Sequence, residues 1–522
     1  MATRAGLWVA AQASGAGHRG GRLVVVGGGL DSVDPAVGDL FPGLNGPAYD
    51  ALTSLRHVGG SPGTQIVPDL AAALPQPTAD GTSYTFRLRP HIRYSDGRPL
   101  QAADFRRALE RLLELNGSFA PYFSHIVGAE ECIGRPRCDL TRGIPVEGTS
   151  TITFRLSTPD PSLFEELQYL MPVPAGTPPH DVGTTPVPGT GPYAIQSYVP
   201  GHLLTFARNR YFHVWSEAAR PDGYPDEIDY RIVDDQDAAL HQVLTRRADL
   251  VHLVNEPPPL TQLAAQHPQQ VHVDEQQSVV FVFLNTRRPP FDDVRVRRAL
   301  NYAVDRGRVV ELYGAALARP TCQIVPTTAT GYRPYCPYTI DPDARGRWVA
   351  PDLPKARSLV AASGTKGTSV SLWAFSDFIT EARNVVGVLN RLGYHARVHE
   401  IADGGAYFDA LAKKPKAQAG LFGWFGDPLA VDMLSTLTCG YAQNPAHFCN
   451  HNIDAQIRQL AETEPTDPAG TSDLAASLDR EITDQAPWVP LFAPRLVDVT
   501  SARVGNYQAQ LGQVLLDQLW VN

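Results

Sequence analysis

The six cysteines are the most reactive side chains in this 522-residue sequence, and they fall into neighbouring pairs. Cys132 and Cys138 lie 6 residues apart, Cys322 and Cys336 14, and Cys439 and Cys449 10. Zinc sites present ligands about two to four residues apart in converging sets, which this spacing does not provide. Three local disulfides, formed in an oxidising compartment, fit better than scattered free thiols, while the pairing itself stays open. His395 and His399 would share one face of a helix. Tyr394, Ala396 and Val398 alternate as in a strand, however, along which four residues span roughly 13 Å. Solvated surface histidines are therefore expected there rather than a metal pair. No serine-nucleophile elbow, zinc-protease helix motif or phosphate-binding loop occurs. Gly27 and Gly29 begin a dinucleotide fingerprint, but Ser32 stands where its last glycine belongs. The most informative polar cluster is GLFGWFGDPLAVD, Gly420 to Asp432. Its plain readings are Asp427 capping a turn before Pro428 and Trp424 in the core.

The elements that must position these residues follow an α/β pattern. Arg22 to Asp34 reads as a buried strand entering a glycine-rich turn. Tyr84, Phe86 and Leu88 alternate with Thr85, Arg87 and Arg89, as a strand buried on one side requires. Phe105, Ala108, Leu109 and Leu112 form one helix face, and Ile152 to Leu156 repeats the alternating strand. Pro174 to Gly191 marks a boundary by composition, and Gly189 to Phe212 a hairpin turning at Pro200-Gly201. Val280 to Asn285 is a hydrophobic strand. It leads into Pro289–Gly314, PPFDDVRVRRALNYAVDRGRVVELYG, whose spacing predicts a turn and one long amphipathic helix. Asp292 or Asp293 would cap it, with Val296, Ala299, Leu300, Ala303 and Val304 buried and Arg295, Arg297, Arg298 and Asp305 outward. Asp352 to Gly364 predicts a capped helix, and Ala382, Val386, Leu389 and Leu392 another stopping at Gly393.

The charge balance, 45 basic against 54 acidic residues for a net −9, argues against a nucleic-acid partner, which needs a clustered basic face. No apolar run approaches the roughly 20 residues that span a bilayer. With 43% hydrophobic residues, the many prolines and glycines indicate turns and long loops rather than disorder. Met1 to Gly20 has only a weak apolar stretch, Ala5 to Ala11, and no early cysteine for a lipid anchor. No convincing signal peptide or lipobox is expected from it, which points to a missing leader or preceding domain, or another release route.

Several motifs, in order along the chain, resemble one family. PPFDDVRVRRALNYAVDR is similar to the "PFDDVRVRQALNYAIDR" segment of the family 5 extracellular solute-binding proteins of ABC importers, the oligopeptide- and dipeptide-binding group. LVVVGGGLDSVDPAV resembles that family's opening strand and turn, TSYTFRLRPHIRYSDG its following strand, and GTGPYAIQSYVPG its hairpin. The likeness runs from about residue 20 to 510. It implies a two-lobed, class II periplasmic-binding-protein-like α/β fold with an extra inserted subdomain and a hinge. After an N-terminal extension, 1–19, segments 20–57, 187–265 and 488–522 would form lobe I. Residues 58–186 would be the inserted subdomain and 266–487 lobe II.

The resemblance also implies a site. The family's "GW--D" segment lines the ligand cleft, which here places Trp424 at the pocket border and Asp427 against a ligand α-amino group, with Gly423 and Phe425 beside them. Because Pro428 follows at once, where the family often continues "DYPDP-NFL", Asp432 is the alternative acid. Leu30 and Asp31 would reach the cleft with backbone groups, as would Gly29, while Asn285 and Tyr193 rank lower. The implied function is capture of an oligopeptide or peptide-like solute and delivery to an ABC permease. The protein would be an extracytoplasmic monomer, at the cell surface or secreted, using no cofactor or metal and catalysing nothing. Its rivals are a ligand-sensing domain of a fused regulator and, less well supported, a peptide hydrolase. Three bridges predict that complete reduction adds two hydrogens per cysteine pair in an intact-mass measurement.

Overall fold

The computed structural model describes residues 19–522 apart from 38–43, 45, 161, 255–259, 403, 414–416, 427–428, 442–443 and 465–467. A mixed sheet of twelve strands runs through it. Its order is His395–Ile401, Ser369–Phe375, Ala419–Phe425, Ser278–Leu284, Trp488–Thr500, Leu250–Leu253, Arg22–Gly27, Glu227–Ile232, Leu203–Arg208 and Tyr193–Val199. Val271–Glu275 and Ala318–Pro320 also pair with Trp488–Thr500. That 13-residue strand is common to both halves of the sheet. Its first residues pair with Ser278–Leu284 (Phe283 opposite Trp488), and its last with Leu250–Leu253 (Leu250 opposite Thr500).

Alternation along the strands produces a separate core on each face. In the 278–492 half, Val280, Val282, Val370, Leu372, Leu421 and Val489 pack beneath helices Val294–Ala303 and Ile379–Leu392. Phe281, Phe283, Phe422 and Trp488 face the opposite way, under helices His451–Thr463 and Pro468–Gln485. In the other half, Leu23, Val25 and Ile228 belong to a core that continues into residues 66–173, while Val24, Val26, Val251, Val497 and Val499 meet helix Gln236–Leu244. The 66–173 region is built as its pattern predicts. Ser83–Arg87 pairs with Thr151–Arg155, Phe86 opposite Ile152, and helix Ala102–Glu114 buries Phe105, Ala108, Leu109 and Leu112 against them.

The six cysteines form three local bridges, Cys132–Cys138, Cys322–Cys336 and Cys439–Cys449, with Cα–Cα separations of 5.1, 5.1 and 4.4 Å. His395 and His399 lie on one strand, so they do not converge. Helix Leu353–Ser363 starts at Asp352, whose carboxylate accepts the Lys355 N–H at 2.9 Å, and ends at Gly364 with φ 71°. Gly393, at φ 100°, closes the next helix; a left-handed terminus of this kind favours glycine.

Pro289–Gly314 departs from its pattern in two ways. The single helix is two, Val294–Ala303 and Arg306–Tyr313. Val304 is extended, and the Asp305 carboxylate accepts the Arg308 N–H at 3.0 Å, capping a new helix rather than facing out from the old one. Arg297, read as outward, is 6% exposed. It donates to the carbonyls of Phe291 at 2.9 Å and Gln485 at 2.8 Å. The periodicity counted a charge as surface, whereas these carbonyls need donors that their own backbone cannot supply.

Arg306 is fully buried, and burial pushes its guanidinium down to about 9. It donates to the carbonyls of Thr321 at 2.9 Å, Pro490 at 2.7 Å and Asn301 at 3.0 Å, and to the Asn301 side chain at 3.1 Å. One side chain thereby fastens the paired helices to the long strand. Arg306→Met would leave those oxygens unsatisfied and is expected to cost about 3 kcal/mol. Arg308→Met, at an exposed Arg308–Glu311 pair, should stay within about 0.5 kcal/mol. Urea denaturation of both variants checks the contrast.

Candidate functional site

Strand direction determines which loops meet. Arg22–Gly27 runs parallel to Leu250–Leu253, which is antiparallel to the long strand with Leu253 opposite Val497. Val271–Glu275 meets the same strand with Glu275 opposite Arg495. All three strands therefore end toward Arg495. On the other side, Ser278 begins its strand opposite Phe425, where Ala419–Phe425 ends. The loop after Gly27 and the segment after Phe425 thus flank the place where the chain passes between the halves, at Glu275–Ser278 and Ala493–Arg495.

That crossing is firmly bonded. The Glu275 carboxylate takes Arg319 at 2.6 Å, the Thr327 hydroxyl at 2.6 Å and Arg495 at 3.6 Å. The Ser278 hydroxyl donates to the Trp424 carbonyl at 2.8 Å, and the Gly426 N–H to the Gln277 carbonyl at 3.0 Å. A Cβ at Gly426 would come within 2.5 Å of an Asp432 oxygen, so any larger residue there would have to move that carboxylate.

The structure brings Gly423, Trp424, Phe425 and Asp432 together at this edge. Trp424 and Asp432 are half-buried, the indole N–H pointing at the Asp432 carboxylate from 3.5 Å, and Phe425 is 68% exposed. Asp427 lies outside the described residues. Across the crossing, the Leu30 carbonyl accepts the Tyr198 hydroxyl and the Gly28 carbonyl accepts the Tyr230 hydroxyl at 3.0 Å. Asp31 is exposed and close enough to help raise the Tyr198 phenol above its ordinary value, after burial. Asn285 is not brought to this edge. It follows the far end of the strand that starts at Ser278, about 20 Å away. It is 1% exposed, and its amide donates to Ala417 O at 3.0 Å and accepts from Arg287 N at 3.1 Å. Tyr193 is equally structural, buried with its hydroxyl on Pro225 O at 2.7 Å.

Aromatic residues that no periodicity flagged complete the edge. Tyr441 packs edge-on against Trp424, centroids 6.2 Å apart, in the loop closed by Cys439–Cys449. Burial, then Asp432, Tyr122 and Glu166, push its phenol up; the last two belong to the 66–173 region. Tyr122 itself leans on Tyr169 and Phe119 at 5.7 and 5.9 Å. Among the described residues, the one cluster with metal-like convergence is Cys439, Cys449 and His451. Both sulfurs there are engaged in the disulfide and offer no thiolate. The arrangement is suited to holding a solute between an aromatic wall, acids and backbone carbonyls.

The model of the bacterial extracellular solute-binding proteins, family 5, matches residues 65–445. The glutathione-binding protein GsiB of Escherichia coli (strain K12) is 25% identical over 449 residues, covering 82% of this chain and 81% of its own length. The GsiB of Shigella dysenteriae matches to the same extent. Among solved structures, the clavulanic acid biosynthesis oligopeptide binding protein 2 superposes with a TM-score of 0.82 at 24% identity, covering 97% of this chain and 96% of its own. The unliganded open form of MppA, a periplasmic murein tripeptide binding protein, gives 0.76 at 21% identity, with 96% and 97% covered. The two-lobed periplasmic-binding-protein architecture is thus shared over nearly the whole chain.

Behind the edge, Glu464 is fully buried and accepts the Ala430 and Val431 N–H groups at 3.0 and 2.9 Å, holding helix Ala430–Ser435. Burial raises its carboxyl to about 7 against those hydrogen bonds, with Asp432 adding to the rise. Because the folded value exceeds the ordinary 4.5, this residue's contribution to stability falls as pH climbs from about 4.5 to 7 and is level above. Glu464→Gln should gain on the order of 2 kcal/mol relative to the wild type between pH 5 and pH 8. The difference in urea-unfolding free energy at the two pH values measures it.

Proposed function

The chain belongs to the bacterial extracellular solute-binding proteins of family 5, and from that premise we propose that it captures a peptide or peptide-like solute for an ABC permease. The observation that carries this reading is that the strands ending at Gly27 and at Phe425 both point to where Glu275–Ser278 and Ala493–Arg495 pass between the halves of the sheet. We infer that 20–57, 187–265 and 488–522 act as lobe I, 58–186 as its inserted subdomain and 266–487 as lobe II, with Trp488–Thr500 running through both. Two passages within one sheet permit bending about the crossing, so that a solute is enclosed when the lobes approach. Relatives named for glutathione, oligopeptide and murein tripeptide binding support a peptide-like ligand, and an extracytoplasmic setting agrees with the three disulfides.

Binding rather than turnover is the activity this chemistry supports. Trp424 offers apolar area, and the carbonyls of Gly28 and Leu30 are held in place by tyrosine hydroxyls. Asp427 is assigned the ligand's α-amino group. An acid in a desolvated cleft favours a cation strongly, and loss of one partner costs about 2–5 kcal/mol. No base–nucleophile pair accompanies these groups among the described residues.

Native mass spectrometry of the purified protein identifies what it carries; a peptide-sized adduct is expected, and a labelled peptide library should be bound without cleavage. Asp427→Asn should weaken a free-amine peptide by about 2 kcal/mol or more, roughly thirtyfold in Kd, and leave its N-acetylated form unchanged by calorimetry. Equal loss for both peptides would remove the amine anchor.

A further inference from the structure

Of the three bridges, Cys439–Cys449 stands in surroundings unlike the others. Cys322 and Cys336 are both buried, as is Cys132, with Cys138 half-buried. Cys449 is exposed and Cys439 half-buried. A ring nitrogen of His451 and the two sulfurs all lie within 4.8 Å of one another. Among the described residues this is the one bridge on which a third ionisable side chain converges so closely. The His451 side chain is 88% exposed, its Nδ1 3.7 Å from the Asp454 carboxylate, which also accepts the Cys439 N–H at 3.2 Å. An accessible sulfur beside an imidazole is a setting in which disulfides exchange rather than only brace the fold. The same bridge closes the loop that carries Tyr441 against Trp424.

We propose that Cys439–Cys449 is a thiol-exchange site at the cleft edge, opened by low-molecular-weight thiols with His451 moving the proton. The incoming thiol gives its proton to the imidazole, and its sulfur attacks the accessible Cys449 Sγ. The bond between the two cysteine sulfurs breaks, a bond from Cys449 to the incoming sulfur forms, and Cys439 Sγ leaves with the electron pair. His451 passes the proton to that sulfur, which yields a free Cys439 thiol and a mixed disulfide. A second thiol attacks the mixed disulfide, leaves its proton on Cys449 and departs as the external disulfide. Two thiols are thereby oxidised and one bridge reduced. The Asn444 amide still donates to the Thr438 and Phe448 carbonyls at 3.2 and 2.9 Å, and Ala446 and Phe448 remain in the core. Opening therefore loosens Tyr441 without releasing the whole loop. The exchange goes beyond solute capture, and only its effect on the cleft rests on that reading.

The chemistry is tested by exposing the native protein to 2-mercaptoethanol, quenching with iodoacetamide and mapping the cysteines by peptide mass spectrometry. Early samples should carry the mercaptoethanol adduct on Cys449 and the iodoacetamide cap on Cys439, about tenfold ahead of capping at either other bridge. His451→Gln, at an exposed position, should slow this opening about fivefold or more and leave the rates of the other two bridges unchanged. Earlier opening of Cys132–Cys138 or Cys322–Cys336, or one common rate for all three, overturns the proposal. So does a His451→Gln variant that opens as fast as the wild type. Wild-type protein opened and capped in this way should retain several-fold less of a labelled peptide library than the intact protein. Unchanged retention overturns the link between the bridge and the cleft. If the intact protein retains no peptide, the capture reading fails, while the capping pattern still decides the exchange.

Discussion

A single run of main-chain hydrogen bonds, the ladder of Trp488–Thr500, is what the remaining structure depends on. Its early residues satisfy Ser278–Leu284 and Ala318–Pro320, and its later residues satisfy Val271–Glu275 and Leu250–Leu253. Pro490 and Pro494 interrupt its own supply of donors. Arg306 reaches the Pro490 carbonyl, and the Gln276 N–H meets the Pro494 carbonyl at 3.2 Å. Three of the four cores contain side chains of this strand, both in the 278–492 half and the one under helix Gln236–Leu244. The buried arginines of the 289–314 segment thus serve the mechanics of the crossing rather than its chemistry.

Much of the architecture was legible because burial on one face leaves a period in the chain. Tyr84 and Phe86 alternate because helix Ala102–Glu114 covers one side of their strand. Asp352 and Gly364 punctuate a helix at both ends for reasons local to those residues. Where the reading failed, the cause was tertiary. Arg297 looked like surface until the carbonyls of Phe291 and Gln485 were in place to take its protons. Asp305 looked like an outward helical side chain until it began a second helix. Asn285 was a polar residue at a strand end, but the pattern did not say which end faces the crossing.

The site was less legible. The segment around Trp424 was recognisable through resemblance, since a glycine, an indole and an acid in sequence carry no periodic signal. Tyr441 carries no periodic signal, because its packing against Trp424 is set by the loop closed by Cys439–Cys449. A weak hint was available for Tyr441 alone, an aromatic residue within a tightly bridged loop. Glu464 was hidden for a related reason. Its function is to hold the Ala430–Ser435 helix through two backbone donors, an arrangement that no spacing in its own helix announces.

The position of the shared strand has a further consequence, in the order of synthesis. Every strand that Trp488–Thr500 pairs with is made at least 160 residues earlier, Ala318–Pro320 being the nearest. Neither half of the sheet can acquire its central neighbour until almost the whole chain has been translated. Such non-local pairing is slow. Joining the two halves is therefore expected to come late in folding, after the strand pairs that lie within each half.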